Sequence, residues 1–305
     1  MALPAVTAQG TETLADVNAH RLNVLVYHPT PDSQGDTWGV AWGTGAQEGR
    51  DYMAAHYGAS LFPTTVVDGV IFSEGATSFL PTYNAYEAFV RDRFDEDTPL
   101  TLRVTGALAG PMALVDVNVT ARAAVESTDL RLRIALFEDD VGFDGGNGVG
   151  NHRFVVRDIL NETPVAWHVP SGTFEHTAGV PVNESWSLAR VGFVVWITNA
   201  DASSRTFEQD EVVQSATYQF SQVGPTVQTT RGVLLETYSA TWCPTCVYGD
   251  AAVDELANQY GVASTRLLDR AYEYWRPFDA AALVAAGVAG TAAFAVLWHV
   301  GRRTP

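Results

Sequence analysis

The middle of the chain alternates. Between Thr98 and about Gln222, apolar and polar residues trade places with period two in Leu100-Thr101-Leu102-Arg103-Val104, in Val115-Asp116-Val117-Asn118-Val119-Thr120 and in Leu130 to Leu136. Successive side chains on a strand point to opposite faces, so this pattern describes strands with one face covered. Further runs follow at Phe154 to Ile159, Leu188 to Ile197 and Val212 to Phe220, with turn residues between them. Short strands at this spacing predict an antiparallel β-sandwich over residues 98–222. The material for a core is present, since 47% of the residues are hydrophobic and 11% aromatic. That excludes a disordered chain or a disulfide scaffold. With 35 Asp and Glu against 18 basic residues, the net charge of −17 repels phosphate backbones and excludes a nucleic-acid partner. Every basic side chain is Arg, so lysine chemistry is excluded as well.

The flanks read differently. Leu22 to Tyr27 is an apolar run of the kind buried on both faces, and Gln47 to Tyr57 reads as a short helix. Leu61 to Gly69 reads as a strand led by Pro63 and closed by an Asp68-Gly69 turn, with Val70 to Ser73 returning beside it. Tyr83 to Phe94 is an amphipathic helix with Tyr86, Phe89, Val90 and Phe94 on one stripe. Beyond the alternating region, Gly232 to Tyr238 is again β-leaning. Val247 to Tyr260 carries Val253, Leu256, Ala257 and Tyr260 at helical spacing.

The only two cysteines, Cys243 and Cys246, lie where this strand turns into this helix, in Thr241-Trp242-Cys243-Pro244-Thr245-Cys246. A thiol at a helix N-terminus meets the positive end of the dipole and unpaired N–H groups, which stabilise a thiolate. A spacing of three lets the second sulfur attack a mixed disulfide on the first. Pro244 suits a first helical turn, which has no use for its missing N–H. Two cysteines make no four-thiolate zinc site, and no His stands at finger spacing, so neither a metal nor a cofactor is expected. The Gly/Asp-rich stretch Glu138 to Gly148 offers oxygen ligands but lacks the spacing of an EF-hand loop, and reads as a solvated turn.

In this order, the strand, Trp242, the Cys243-Pro244-Thr245-Cys246 turn and the helix resemble the active-site segment of the thioredoxin superfamily. The resemblance implies that Cys243 is the nucleophile and Cys246 the resolving thiol. It implies that Phe62-Pro63-Thr64 is a cis-proline loop beside the pair, holding the partner's backbone, with Trp242 and Pro244 completing the contact surface. Where many members place a buried acid, this chain has Thr237, with Glu236 on the opposite face of the strand. The pieces stand in inverted order, which leaves two arrangements: a domain closed from both chain ends, or a start that has lost an upstream half. The first is adopted here, because a lone strand and helix would have no sheet on which to bury their apolar faces.

The expected fold is therefore an α/β thioredoxin-like domain, discontinuous and formed from both chain ends, with an inserted all-β, Ig-like sandwich and one C-terminal transmembrane helix. The boundaries read as 1–97 for the half bearing Pro63, 98–222 for the sandwich and 223–276 for the strand, CxxC pair and helix. Residues 277–300 read as the membrane helix and 301–305 as a short tail. Phe278 to Val300 is nearly free of charge, about 21 of its residues span ~31 Å, and Trp275 and Trp298 fit interfacial positions. The expected protein is a single-pass membrane protein with its bulk outside the cytoplasm, acting on thiols and disulfides of other proteins. The alternative is a non-enzymatic surface binding module in which the cysteines form a structural disulfide. Nothing in the sequence indicates an oligomeric state.

Overall fold

The computed structural model of the protein describes residues 20–29, 49–166 and 172–261. In chain order they form β1 (Leu22–Tyr27), α1 (Gly49–Tyr57), β2 (Thr64–Val67), β3 (Ile71–Glu74), α2 (Phe79–Phe94), β4 (Leu100–Ala109), β5 (Met112–Ala121) and β6 (Leu130–Glu138). The short strands β7 (Val141–Gly142) and β8 (Asn151–His152) pair with each other, and β9 (Val155–Ile159), β10 (Thr163–Pro164) and β11 (Thr173–Pro181) follow. A 3-10 turn at Leu188–Arg190 leads into β12 (Val191–Asn199), then β13 (Val212–Gln219), β14 (Thr226–Gln228), β15 (Val233–Tyr238) and α3 (Cys246–Tyr260).

One mixed sheet of nine strands runs through the molecule in the order β13-β12-β6-β9-β1-β15-β2-β3, with β10 beside β6. β1 lies parallel to β15, from Leu22 beside Val233 to Tyr27 beside Tyr238, and parallel to β9 at Val26 and Val155. A second sheet has the order β11-β5-β4-β14. All six residues of β1 and all six of β15 are buried, as expected of parallel strands covered on both faces.

The alternation in the sequence has an unexpected use here. On β6, Leu130, Leu132, Ile134 and Leu136 enter the core shared with the second sheet, while Ala135 and Phe137 enter a different core with β1, β15 and the helices. On β12, Val191, Phe193, Val195 and Ile197 take the first side, and Val194 and Trp196 the other. The strand period thus divides two apolar cores across one wall instead of separating core from water.

This corrects the expected fold class, an α/β thioredoxin-like domain closed from both chain ends, and with it the thioredoxin resemblance. The described residues are mostly β, with 42% strand and 18% helix. The strands from the two chain ends do not close on themselves as an α/β domain. They continue through β9 into β6, β12 and β13, because those strands offer apolar faces on both sides. The expected membrane helix is corrected too. Among the described residues no helix is long and apolar enough to cross a membrane, and residues 277–300 lie outside the described residues. Anchoring through that helix, and a location inferred from it, are therefore withdrawn.

A buried ionic knot ties the end strands to the wall. Asp68 has a positive φ of 49° and Gly69 one of 76°, the geometry of a tight hairpin turn between β2 and β3. The Asp68 carboxylate accepts hydrogen bonds from Arg93 Nε at 3.0 Å, from Arg231 Nη2 at 3.0 Å and from the Leu234 backbone N–H at 2.8 Å. Glu211 accepts from the same two guanidiniums, Arg231 at 3.1 Å and Arg93. Two carboxylates facing two guanidiniums leave no charge uncompensated, which is the condition for burying such groups.

Candidate functional site

β15 carries the chain to the cysteines. Its apolar run is buried on both faces, and it ends where Ser239 donates its backbone N–H to the Tyr27 carbonyl at 2.9 Å. A turn follows, with the Cys243 N–H donating to the Ala240 carbonyl at 3.1 Å, and α3 then starts at Cys246. α3 is held in place along its length. Tyr83 donates to Gln259 at 2.8 Å, Tyr260 donates to Glu87 at 2.9 Å, and Arg21 donates its N–H to the Tyr260 carbonyl at 3.0 Å.

Cys243 and Cys246 form a disulfide across this helix start. The Cys246 backbone N–H donates to Cys243 Sγ at 3.2 Å, and the Thr245 hydroxyl lies 3.5 Å from the same sulfur. Cys243 is 4% exposed and Cys246 fully buried, while Pro244 and Thr245 between them are exposed. Once reduced, Cys243 would hold a sulfur already facing a helix-terminal N–H, the arrangement that favours thiolate over thiol.

The other residues singled out in the sequence gather here. Phe62 packs against Ala240, Cys243 and Cys246. Its ring lies 4.2 Å from that of Tyr238 and edge-on to Trp242 at 5.3 Å. The Phe62–Pro63 peptide bond is cis, and Pro63 is buried. The loop is fixed by Gly75, whose N–H donates to the Pro63 carbonyl at 2.7 Å, and by Thr64, whose hydroxyl donates to the Leu61 carbonyl at 2.9 Å. Trp242 packs on the same cluster, and Leu61, 56% exposed, precedes Phe62 at the surface.

Thr237 is buried and its hydroxyl lies 3.1 Å from that of Thr65. Its neighbour Glu236 turns the other way, accepting from Tyr27 at 2.7 Å and from Tyr57 at 2.5 Å. Burial raises the Glu236 carboxyl above its ordinary range, against the pull of those two hydroxyls. Burial likewise raises the Tyr27 and Tyr57 hydroxyls, with Glu236 adding to the effect.

One contact was not anticipated from the sequence. The loop between β7 and β8 reaches the cysteine turn. Asn147 donates its backbone N–H to the Thr241 carbonyl at 2.9 Å and its side-chain Nδ2 to the Ala240 carbonyl at 3.3 Å. The Gly145-Gly146-Asn147-Gly148 string signals a turn but not its destination. The acids at its base are engaged elsewhere: Glu138 with Arg157, Asp139 with Arg153 and Asp140 with Arg190. Among the described residues no three His, Cys, Asp or Glu side chains converge as metal ligands.

No family model matches the chain, and no curated protein does. Among solved structures, HBP35 of Porphyromonas gingivalis is similar at 15% identity and a TM-score of 0.43, over 58% of this chain and 59% of that one. The RIM2 C2A domain is similar at 9% identity and a TM-score of 0.23, over 45% of this chain and 100% of that one. At these scores neither likeness carries an argument about fold or function.

Proposed function

We propose that the protein carries a dithiol–disulfide exchange centre acting on other proteins, with Cys243 as the attacking sulfur and Cys246 as the resolving one. The observation that carries this reading is the placement of the pair. The disulfide closes the turn that leads into α3, the Cys246 N–H points at Cys243 Sγ, and Phe62 of the cis-proline loop packs against the pair.

In the reducing direction, the Cys243 thiolate attacks one sulfur of a substrate disulfide. A Cys243–substrate bond forms, the substrate S–S bond breaks, and one substrate thiolate leaves and takes a proton from water. Cys246, having lost its proton, then attacks Cys243 Sγ. The Cys243–Cys246 bond forms and the second substrate thiolate leaves. Two electrons pass from the pair to the substrate. The oxidising direction is the reverse, and reduction potentials decide which one runs. Phe62, Trp242 and Pro244 form the surface that the partner segment meets, and the buried Pro63 holds the loop behind it.

A second reading, a binding module with a structural disulfide, is favoured by one observation: Cys243 is 4% exposed. The two readings differ in a direct assay. Reduced wild type is expected to accelerate insulin reduction, Cys243→Ser to lose that activity, and Cys246→Ser to accumulate a mixed disulfide with the substrate. A pair that resists dithiothreitol in the folded protein, with no acceleration by wild type, would establish the structural disulfide instead.

A further inference from the structure

We infer that Asn147 is a positioning residue for Cys243, and that the loop carrying it sets the reactivity of the cysteine pair from outside the strand–turn–helix segment. This deepens the exchange reading and rests on it for its functional meaning, although the readout below does not require an enzyme.

The argument starts at one carbonyl. Ala240 O accepts two hydrogen bonds, from the Cys243 N–H at 3.1 Å and from Asn147 Nδ2 at 3.3 Å. The first closes the turn that presents Cys243. The second holds the same acceptor from the outside. The next carbonyl, Thr241 O, accepts the Asn147 backbone N–H at 2.9 Å. Both carbonyls leading into Trp242-Cys243 are thus pinned by one residue of another element.

That residue is itself held. Asn147 Oδ1 accepts the Val149 N–H at 3.0 Å, a local turn that orients the amide so that Nδ2 faces Ala240. The Gly148 N–H donates to the Gly145 carbonyl at 3.1 Å, and Gly148 has a φ of +85°. The glycine at 145 is required by proximity, since a Cβ there would lie 2.7 Å from Thr241 O. At Gly146 a Cβ would lie 3.8 Å from Trp242 Cα, so the loop backbone runs along Trp242. The base of the loop is anchored on the same helix that Cys246 opens: Arg153 pairs with Asp139 and donates to Asn258 of α3 at 2.8 Å. The loop therefore grips the cysteine segment at its turn and at the far end of its helix. A solvated turn would need neither contact.

A loosened turn lets Cys243 Sγ drift from the Cys246 N–H, and less thiolate forms at a given pH. The test compares wild type with Asn147→Ser and Asn147→Ala in the full chain, after reduction. Ser is neutral and keeps a local acceptor for Val149, but cannot reach Ala240, so it isolates the side-chain bond if Ala disturbs folding. The readout is the rate of iodoacetamide alkylation of Cys243 against pH, with thermal unfolding as a control. We expect the midpoint of that profile to move up by about half a unit to one unit in Asn147→Ser, a three- to tenfold loss of thiolate near neutrality, with unfolding within a few degrees of wild type. A midpoint unchanged in both variants overturns the inference, whatever the insulin assay shows. A shifted midpoint with no insulin reduction by wild type sustains the positioning role and fails the exchange reading instead.

Discussion

Gly249 of α3 faces the ring of Pro63 so closely that a Cβ on it would lie 2.9 Å from Pro63 Cγ and 3.1 Å from Pro63 Cβ. Two effects of Gly249→Ala then compete. In a helix interior the change gains about 1 kcal/mol of propensity. Here it also drives a methyl group into a buried ring on a loop that is hydrogen-bonded at both ends, and overpacking of that kind costs about 1–3 kcal/mol. The steric cost prevails. Gly249→Ala is expected to lower the unfolding temperature instead of raising it, and to slow any exchange by pushing the Phe62-Pro63 loop off the sulfurs. Calorimetry and the insulin assay check the two halves, and a stabilised variant would sink the argument.

Asp68 tests the ionic knot. Asp68→Ala removes the acceptor shared by Arg93, Arg231 and the Leu234 N–H, and leaves two buried guanidiniums with Glu211. Breaking such a buried set costs about 3–5 kcal/mol. Asp68→Asn keeps an oxygen for Leu234, and Asn tolerates the positive φ of 49° at this turn. It is expected to lose clearly less than the Ala variant, and urea denaturation of both orders them. Equal losses would mean that charge, not acceptor geometry, holds the hairpin to the wall.

How much of this was legible in the sequence depends on range. The runs Leu22–Tyr27 and Val233–Tyr238 announce buried strands because they are apolar apart from Asn23, Glu236 and Thr237; Asn23 is matched by Ser215 and Thr217, and Glu236 by two tyrosines. The Asp68-Gly69 turn is legible because its chemistry is local. β11 leaves no such signal: Thr173–Pro181 has few apolar residues, and its strand state comes from its ladder to β5. The continuous sheet is illegible for a different reason. Alternation tells which face a residue takes, not which strand lies beside it, and Val26 meets Val155 while Leu22 meets Val233. At the site, the cysteines and the Phe62-Pro63 loop stand out as residue types. Asn147 does not, because its contact is made mainly by backbone and one amide from a loop that reads as an ordinary turn.

Asp158 gives the clearest pH dependence. It sits on β9 opposite Leu136, is 4% exposed, and its Oδ1 finds no hydrogen-bond partner among the described residues. Burial pushes its pKa from an ordinary 3.8 up to about 7, against a smaller opposing pull from the Ile159 backbone. The folded state therefore holds a proton that the unfolded chain has released, and the slope of stability with pH is negative across that window. The contribution is fully present below about pH 4 and is lost as the pH rises through about 7. The shift corresponds to at most about 4 kcal/mol. Glu236 adds a change of the same sign, so the comparison has to be between variants. Asp158→Asn supplies a neutral side chain at every pH. It is expected to match wild type below about pH 4 and to exceed it by a margin that widens between about pH 4 and pH 7 and then levels off, at up to about 4 kcal/mol. Urea denaturation at acidic and mildly alkaline pH measures the gap. A gap that does not widen with pH would show that Asp158 is solvated in the folded protein.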